Sequence, residues 1–319
     1  MTVTVRSAQD GDWDAAARAY TDALPHDPVS GSELRKRDEE QRDWGYRSGT
    51  LVACNPEDEV IGTASYFQDP GAYHPRRFTL ELAVAPQAQG QGAGTALWEA
   101  LDTCLREADA ESVRVLARED HSVAPVFLAR RSFVGDKRYF TSALDVTTFD
   151  EAPYRMLESR LAQQGVRVRS LSDLRAAGIP DLPTRLHALM SDVRSDVPRA
   201  EPATPLSFQV FEEAVLGDPG LLPDAYLVAE HGEALIGQTA LFRSEASTDL
   251  LTGLTGVTRD WRGRGVATAL KIAAIRAARI MGATLIRTDN ASDNAPMLAI
   301  NDRLGFVRDP ASVSYMLRY

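Results

Sequence analysis

Cysteine is nearly absent: Cys54 and Cys104 are the only two in 319 residues. They stand fifty positions apart with no CxxC and no Cys/His pairing, which supports neither a disulfide framework nor a zinc site. No apolar run approaches the ~20 residues that cross a bilayer. The opening MTVTVRSAQDGDWDAAARAY also lacks the basic and then apolar regions of a signal peptide. The expected setting is a reducing cytoplasm, with no membrane partner. Positive charge is in deficit, with 35 Lys and Arg against 45 Asp and Glu, a formal net charge of -10 and a pI near 5.1. That balance argues against nucleic acid as a partner and makes a cationic small molecule easier to accept. His74, His121, His187 and His231 show no metal-ligand spacing, and no Ser/His/Asp arrangement is legible, so no metal is expected. What remains is an ordinary globular composition, 44% hydrophobic and 25% charged, long enough for two domains of about 150 residues.

The positive signal is an internal repeat. VAPQAQGQGAGTALWEAL, from Val84, returns 173 residues later as VTRDWRGRGVATALKIAA, with Gly92 mapping onto Gly265, Gly94 onto Ala267 and Leu97 onto Leu270. The opening strand VTVRS recurs as VRVRS, and the pair LVACNPEDEVIGTASYF and YLVAEHGEALIGQTALF both read as hairpins. After each glycine loop comes a helical stripe, with Thr95, Trp98 and Leu101 in one copy and Leu270, Ile272, Ala273 and Ile275 in the other. A short strand and a further helix follow, ending at Phe133 and Phe306, again 173 apart. RYFTSALDV and SVSYMLRY close the copies as terminal strands. Each copy therefore reads β-α-β-β-β-α-β-α-β, an α/β fold with a mixed, mostly antiparallel sheet flanked by helices. The boundary falls near TTFDEAPYRM, giving domains 1–150 and 151–319. The proline-bearing segment from Ser195 to Gln209 is expected to be an ordered loop inside the second copy.

A strand, then glycines, then a helix sets several backbone N–H groups and a helix N-terminus around a point free of side chains. Gly90-Gln91-Gly92-Ala93-Gly94 is not GxGxxG, because Thr95 stands where the third glycine belongs, and no GK[ST] follows. One such loop is equally well read as a tight turn; two at a fixed offset favour phosphate binding.

At these residues the chain resembles the GCN5-related N-acetyltransferase (GNAT) superfamily, whose signature is Q/R-x-x-G-x-G/A. Gln89-Gly90-Gln91-Gly92-Ala93-Gly94 fits it, as does Arg262-Gly263-Arg264-Gly265-Val266-Ala267, so the resemblance covers the chain in two tandem copies. It implies that the loop amides bind the pyrophosphate of acetyl-CoA. It also implies that the preceding strand, Leu82, Ala83 and Val84 in one copy and Gly256 and Val257 in the other, holds the pantetheine arm. Asn294 fits the family's cofactor-contacting asparagine and reads equally as a helix cap; its counterpart is His121. Arg262 and Arg264 are suited to pair with phosphates. Trp261 is read as a packing residue.

Acetyl transfer to an amine needs a base, oxyanion donors and a proton for the thiolate. Glu81 sits where many family members carry a glutamate base, although strand alternation also allows an exposed carboxylate. Leu254 aligns with it, so the second copy needs Asp249, Glu245 or water. The family's acidic tyrosine is replaced by Leu128 and Asn301; Tyr315, Tyr139 or solvent would substitute. Tandem members, the mycothiol synthase type among them, often keep chemistry in one half, an analogy that favours the C-terminal one. The expected activity is direct acetyl transfer from acetyl-CoA to a small cationic amine by an internal pseudo-dimer. The alternative is a non-catalytic acyl-CoA sensor or scaffold.

Overall fold

The computed structural model describes residues 2–319. In chain order the first copy comprises β1 (Thr4–Ser7), α1 (Trp13–Ala23), α2 (Gly31–Asp43), β2 (Ser48–Cys54), β3 (Val60–Phe67), β4 (Arg77–Val84), α3 (Ala93–Glu107), β5 (Ser112–Arg118), α4 (Ala124–Ala129) and β6 (Val134–Asp145). The second begins with α5 (Arg155–Gln163), β7 (Val166–Ser170), α6 (Leu171–Ala176), α7 (Leu182–Ser195), α8 (Phe208–Phe211), β8 (Leu227–His231) and β9 (Ala234–Thr239). It continues with β10 (Leu241–Arg243), β11 (Leu250–Thr252), β12 (Gly256–Val257), α9 (Val266–Ile280), β13 (Leu285–Ala291), α10 (Ala295–Leu304), β14 (Val307–Arg308) and β15 (Ser312–Arg318). Of the segment from Ser195 to Gln209 expected as a loop, Ser195 ends α7 and Phe208 and Gln209 begin α8, so the loop runs from 196 to 207.

Two compact units result, and they are discontinuous in sequence. Among the described residues, one holds 2–137, 245–247 and 312–319, and the other holds 138–244 and 248–311. The closing strands have changed places. β15 pairs antiparallel with β5, Tyr315 lying opposite Val115, while β6 pairs with β13, Tyr139 lying opposite Ala291. Each strand has the apolar alternation its new neighbours require: Tyr315 and Leu317 pack on the first unit's core, and Leu144 is buried with Ile286 and Phe306 in the second. Exchange of like elements between repeats preserves such contacts, so alternation alone does not reveal it.

In the first unit the strand order is β1-β2-β3-β4-β5-β15, with only β4 and β5 parallel. Alternation divides the faces. Leu80, Val84, Val113 and Val115 meet Leu97, Leu101 and Leu105 of α3, spaced one turn apart and fully buried. Burial of three such leucines contributes roughly 2 kcal/mol each. This stripe differs from the expected one, since Thr95 is exposed and Trp98 lies at its margin against Phe133. On the opposite face Ala83 packs on Ala17 and Tyr20 of α1.

α2 forms in GSELRKRDEEQRD, a strongly charged stretch with one buried residue. Ser30 and Glu33 make a reciprocal capping box at its start. Pairs Arg35–Glu39, Lys36–Glu40 and Arg42–Asp38 then support it at i,i+4. Residue 245 adds a further tie: the Glu245 carboxylate accepts from Ser30 and Ser32, and its N–H donates to Glu33 at 3.0 Å.

The second unit divides its strands between two sheets, β12-β9-β8-β7 and β6-β13-β11-β10, with β14 also on β6. The strand expected before the second glycine loop is thus broken at Gly253 to Thr255, β11 running parallel to β13 and β12 antiparallel to β9.

Candidate active site

In the first unit β4 and β5 pair in parallel from Arg77/Ser112 to Leu80/Val115 and then part, although both strands continue. The edge of Leu82 to Val84 facing β5 is left without a ladder partner, while its other edge stays bonded to β3. Beyond Val84 the chain turns through Pro86–Ala88, and the Gln89 side-chain amide donates to the Val84 carbonyl at 3.0 Å, closing the loop. Gln91 likewise donates to the Gln87 carbonyl at 2.9 Å. Gly90 and Gly92 have φ of +75° and +97°, the left-handed region that favours glycine, and a Cβ on either would meet nothing within 4 Å. Ala93 is buried at the start of α3, whose first-turn N–H groups have no intrahelical acceptor and point at this open space. A Cβ on Gly94 would lie 3.5 Å from the Phe127 ring of α4, at van der Waals contact. The arrangement suits a diphosphate at the loop and an extended thioester arm between the parted strands.

A cation that the repeat did not single out completes this corner. Arg131 donates to Thr95 Oγ1 at 3.1 Å and lies 3.5 Å over the Phe127 ring, and burial pulls its pKa down. It helps line a groove of about 1090 Å³, open to solvent, with Trp98, Val126, Phe127 and Arg130. ARRSF was legible only as a helix end.

Glu81 points to the other face of β4. The register Glu81–Ser65–Thr50 sets it on the row beneath α1 and α2, two positions from Ala83. There it floors a cleft of about 630 Å³, counting space open to solvent, with Tyr20, Arg37, Asp38, Gln41 and Phe67. Burial pushes the Glu81 carboxyl above the usual carboxylate range, with Arg37 opposing and Asp27 adding to the shift. Tyr20 donates to Asp27 at 3.1 Å, and burial raises its pKa strongly. The strand carboxylate is therefore not directed to bulk solvent. It sits beside the parted strands, one position before Leu82.

The second copy repeats the loop and closes it. Gly263 and Gly265 keep φ of +71° and +91°, and the Arg262 Nε donates to the Val257 carbonyl at 2.9 Å, as Gln89 does to Val84. A Cβ on Gly265, however, would lie 2.7 Å from Leu157 of α5 and 3.5 Å from the Arg160 guanidinium. The arginines expected to take phosphate have other partners. Arg262 pairs with Asp196 at 2.6 Å, and Arg259 pairs with the same carboxylate, which the two hold far below its ordinary pKa. Arg264 lies over the Trp261 ring at 4.7 Å, and Trp261 packs against His231. Val266 is buried and Ala267 packs at the edge of the core.

The face beneath α7 is filled as well. Leu254, in the place of Glu81, belongs to an apolar cluster with Leu186, Val193 and Phe211, and Val193 lies 2.6 Å from where a Cβ of Gly256 would be. Asp249 is held by Arg287 at 2.6 Å, and that arginine also reaches Asp309 at 3.2 Å. Asn294 occupies the N-cap position of α10 without a side-chain capping bond. His121 does cap: its Nδ1 accepts from Val123 and Ala124 at 3.2 and 3.1 Å. Leu128 is core, and Asn301 is buried, donating to Asn290 at 2.7 Å. The strand exchange puts Tyr315 in the first unit, where it packs near Gly135 on the α3 face, and Tyr139 in the second, where its hydroxyl accepts from the Ala200 N–H.

The acetyltransferase (GNAT) family model matches residues 13–133 and again 186–306, segments offset by the same 173 positions as the glycine loops. The chain belongs to the GNAT family. It is an N-acetyltransferase built of two tandem GNAT domains, similar over nearly its whole length to solved structures. A GCN5-related N-acetyltransferase of Sphaerobacter thermophilus matches with TM-score 0.69 at 16% identity, covering 99% of this chain and 95% of that one. A tandem GNAT protein from the clavulanic acid biosynthesis pathway matches with TM-score 0.73 at 19% identity, covering 99% and 98%. The glucosamine N-acetyltransferase region of a fungal multi-domain β-N-acetylglucosaminidase gives TM-score 0.73 at 16% identity, covering 98% of this chain and 38% of that one. At such identities the likeness establishes the fold. No curated protein matches the chain in sequence. Among the described residues no helix of this GNAT protein is long and apolar enough to cross a membrane, and no cluster of three or more His, Cys, Asp or Glu could hold a metal ion.

Proposed function

We propose that the N-terminal half carries the chemistry, transferring acetyl from acetyl-CoA to the amine of a small polar acceptor by direct attack. The supporting observation is a juxtaposition: only in the first copy does an open glycine loop occur with a half-buried glutamate at the floor of a cleft. Acetyl-CoA supplies an activated thioester. The amides of Gly90 to Thr95 and Arg131 hold its phosphates, the unpaired edge of Leu82 to Val84 aligns its arm, and the groove lined by Trp98 and Phe127 takes its far end. Glu81 accepts the proton of the acceptor ammonium, directly or through water, and a carboxyl held above the usual carboxylate range is the stronger base for it. As the amine nitrogen bonds to the acyl carbon and the C–S bond breaks, the thiolate is protonated by Tyr315. That residue lies across β5 at Val115, the level at which β4 and β5 part.

The acceptor cleft contains Asp38 and Glu81 against Arg37, which with the acidic chain favours a cationic amine. The test is thiol release from acetyl-CoA with a panel of small amines, in wild type, Glu81→Gln and Tyr315→Phe. One observation favours a second reading, a non-catalytic acyl-CoA sensor: Leu128 fills the position of the family's usual tyrosine. That reading requires cofactor binding with no thiol release for any amine.

A further inference from the structure

The acceptor cleft holds two polar atoms that the catalytic reading leaves unused. Gln41 and Ser48 both line it, and Gln41 Oε1 and Ser48 Oγ are enclosed and have no hydrogen-bond partner in the protein. Their neighbours are committed: Asp38 accepts from Thr50 at 3.1 Å and pairs with Arg42 at 3.0 Å. Enclosed oxygens of this kind have already lost solvation, so a donor that reaches them gains nearly a full hydrogen bond.

Their place relative to Glu81 follows from the sheet. Glu81, Ser65 and Thr50 form one row across β4, β3 and β2, and Ser48 lies two residues along β2 on the same face, opposite Phe67. With strands about 4.8 Å apart and about 3.4 Å per residue, Ser48 is about 12 Å from Glu81 between Cα atoms. Gln41 hangs above this end from α2, one turn beyond Arg37. Tyr20 and Phe67 supply apolar wall between the two ends.

We infer that Gln41 and Ser48 form a specificity subsite that reads a hydroxyl group on the acceptor several bonds from the reacting amine, selecting amino alcohols over plain alkylamines. This rests on Glu81 marking the reacting end, as proposed above. The probes are α,ω-amino alcohols of three to seven carbons and n-alkylamines of matched length, titrated calorimetrically into the CoA-loaded full chain and assayed for thiol release with acetyl-CoA. The wild type is expected to prefer the best amino alcohol over its matched alkylamine by about tenfold or more. Gln41→Leu and Ser48→Ala should each remove most of that preference while leaving acetyl-CoA affinity unchanged; two variants on different elements guard against a local folding defect. Equal binding of the two series, binding of neither, or a preference that survives both substitutions overturns the subsite. The acetyl-CoA titration on the same sample tests the cofactor reading separately, so the two can fail independently.

Discussion

The two glycine loops of this GNAT protein have nearly the same backbone and different surroundings. Both place their glycines at positive φ, and both are tied back to the preceding strand, by Gln89 in one and Arg262 in the other. In front of Gly92 there is open space; in front of Gly265 stands Leu157. Beneath α1 lies Glu81 in a cleft, and beneath α7 lies Leu254 in a packed apolar cluster. A duplicated motif therefore preserves a turn more readily than it preserves the access a ligand needs. Analogy with tandem family members points to the C-terminal half; the proposal made above rests instead on which half keeps its loop and cleft open.

The contrast is most strongly broken or sharpened at Glu81. Glu81→Gln is expected to lower kcat with the best amine by about 10²- to 10³-fold while leaving acetyl-CoA affinity unchanged, as measured by thiol release and calorimetry. In the wild type kcat/KM should rise with pH as this carboxyl deprotonates above the ordinary carboxylate range, and the variant should lose that limb. The same shift has a stability consequence. Because burial raises the folded-state pKa, the native protein holds more protons than the unfolded chain above the ordinary value, so stability falls as pH rises through the shifted one. Glu81→Gln should therefore raise Tm at neutral pH, an increase absent near pH 4.

The next effect belongs to the second half. Lys271 takes the place of Trp98, buried on α9 with its ammonium 5.0 Å from the Phe306 ring, as Trp98 meets Phe133. Burial pulls its pKa from 10.5 to about 8, so its cost is fully present below pH 8 and fades as pH rises to 10.5. Lys271→Met should stabilise the protein by about 2 kcal/mol at pH 7 and leave turnover unchanged, checked by denaturant unfolding at pH 7 and 10.5. The smallest effect is expected at Asp249: Asp249→Asn should change kcat by less than about twofold and cost about 1 kcal/mol through the loss of its pair with Arg287. A large loss of turnover there would move the chemistry to the second half.

Much of this was legible in the sequence, because the features that repeat are local. The hairpins, the loops and the helical stripes each depend on spacings of a few residues, and the 173-residue offset tied them into two copies. What sets the two halves apart is not local. Leu157 meets a glycine more than a hundred positions away, and no spacing predicts which helix will cover a loop. Asp196, at the end of α7, pairs with Arg262 from 66 positions away in sequence. The exchanged strands were invisible because both alternate alike. The cleft wall on α2 was faint because that helix is held by its capping box and ion pairs, with little apolar stripe to mark its face.

The most direct test of the account is the number of acetyl-CoA molecules bound per chain, measured by calorimetric titration of wild type, Gly92→Glu and Gly265→Glu. The account predicts one site in the wild type, none in Gly92→Glu and one of unchanged affinity in Gly265→Glu. Two sites in the wild type, or binding that survives Gly92→Glu and disappears with Gly265→Glu, would contradict it.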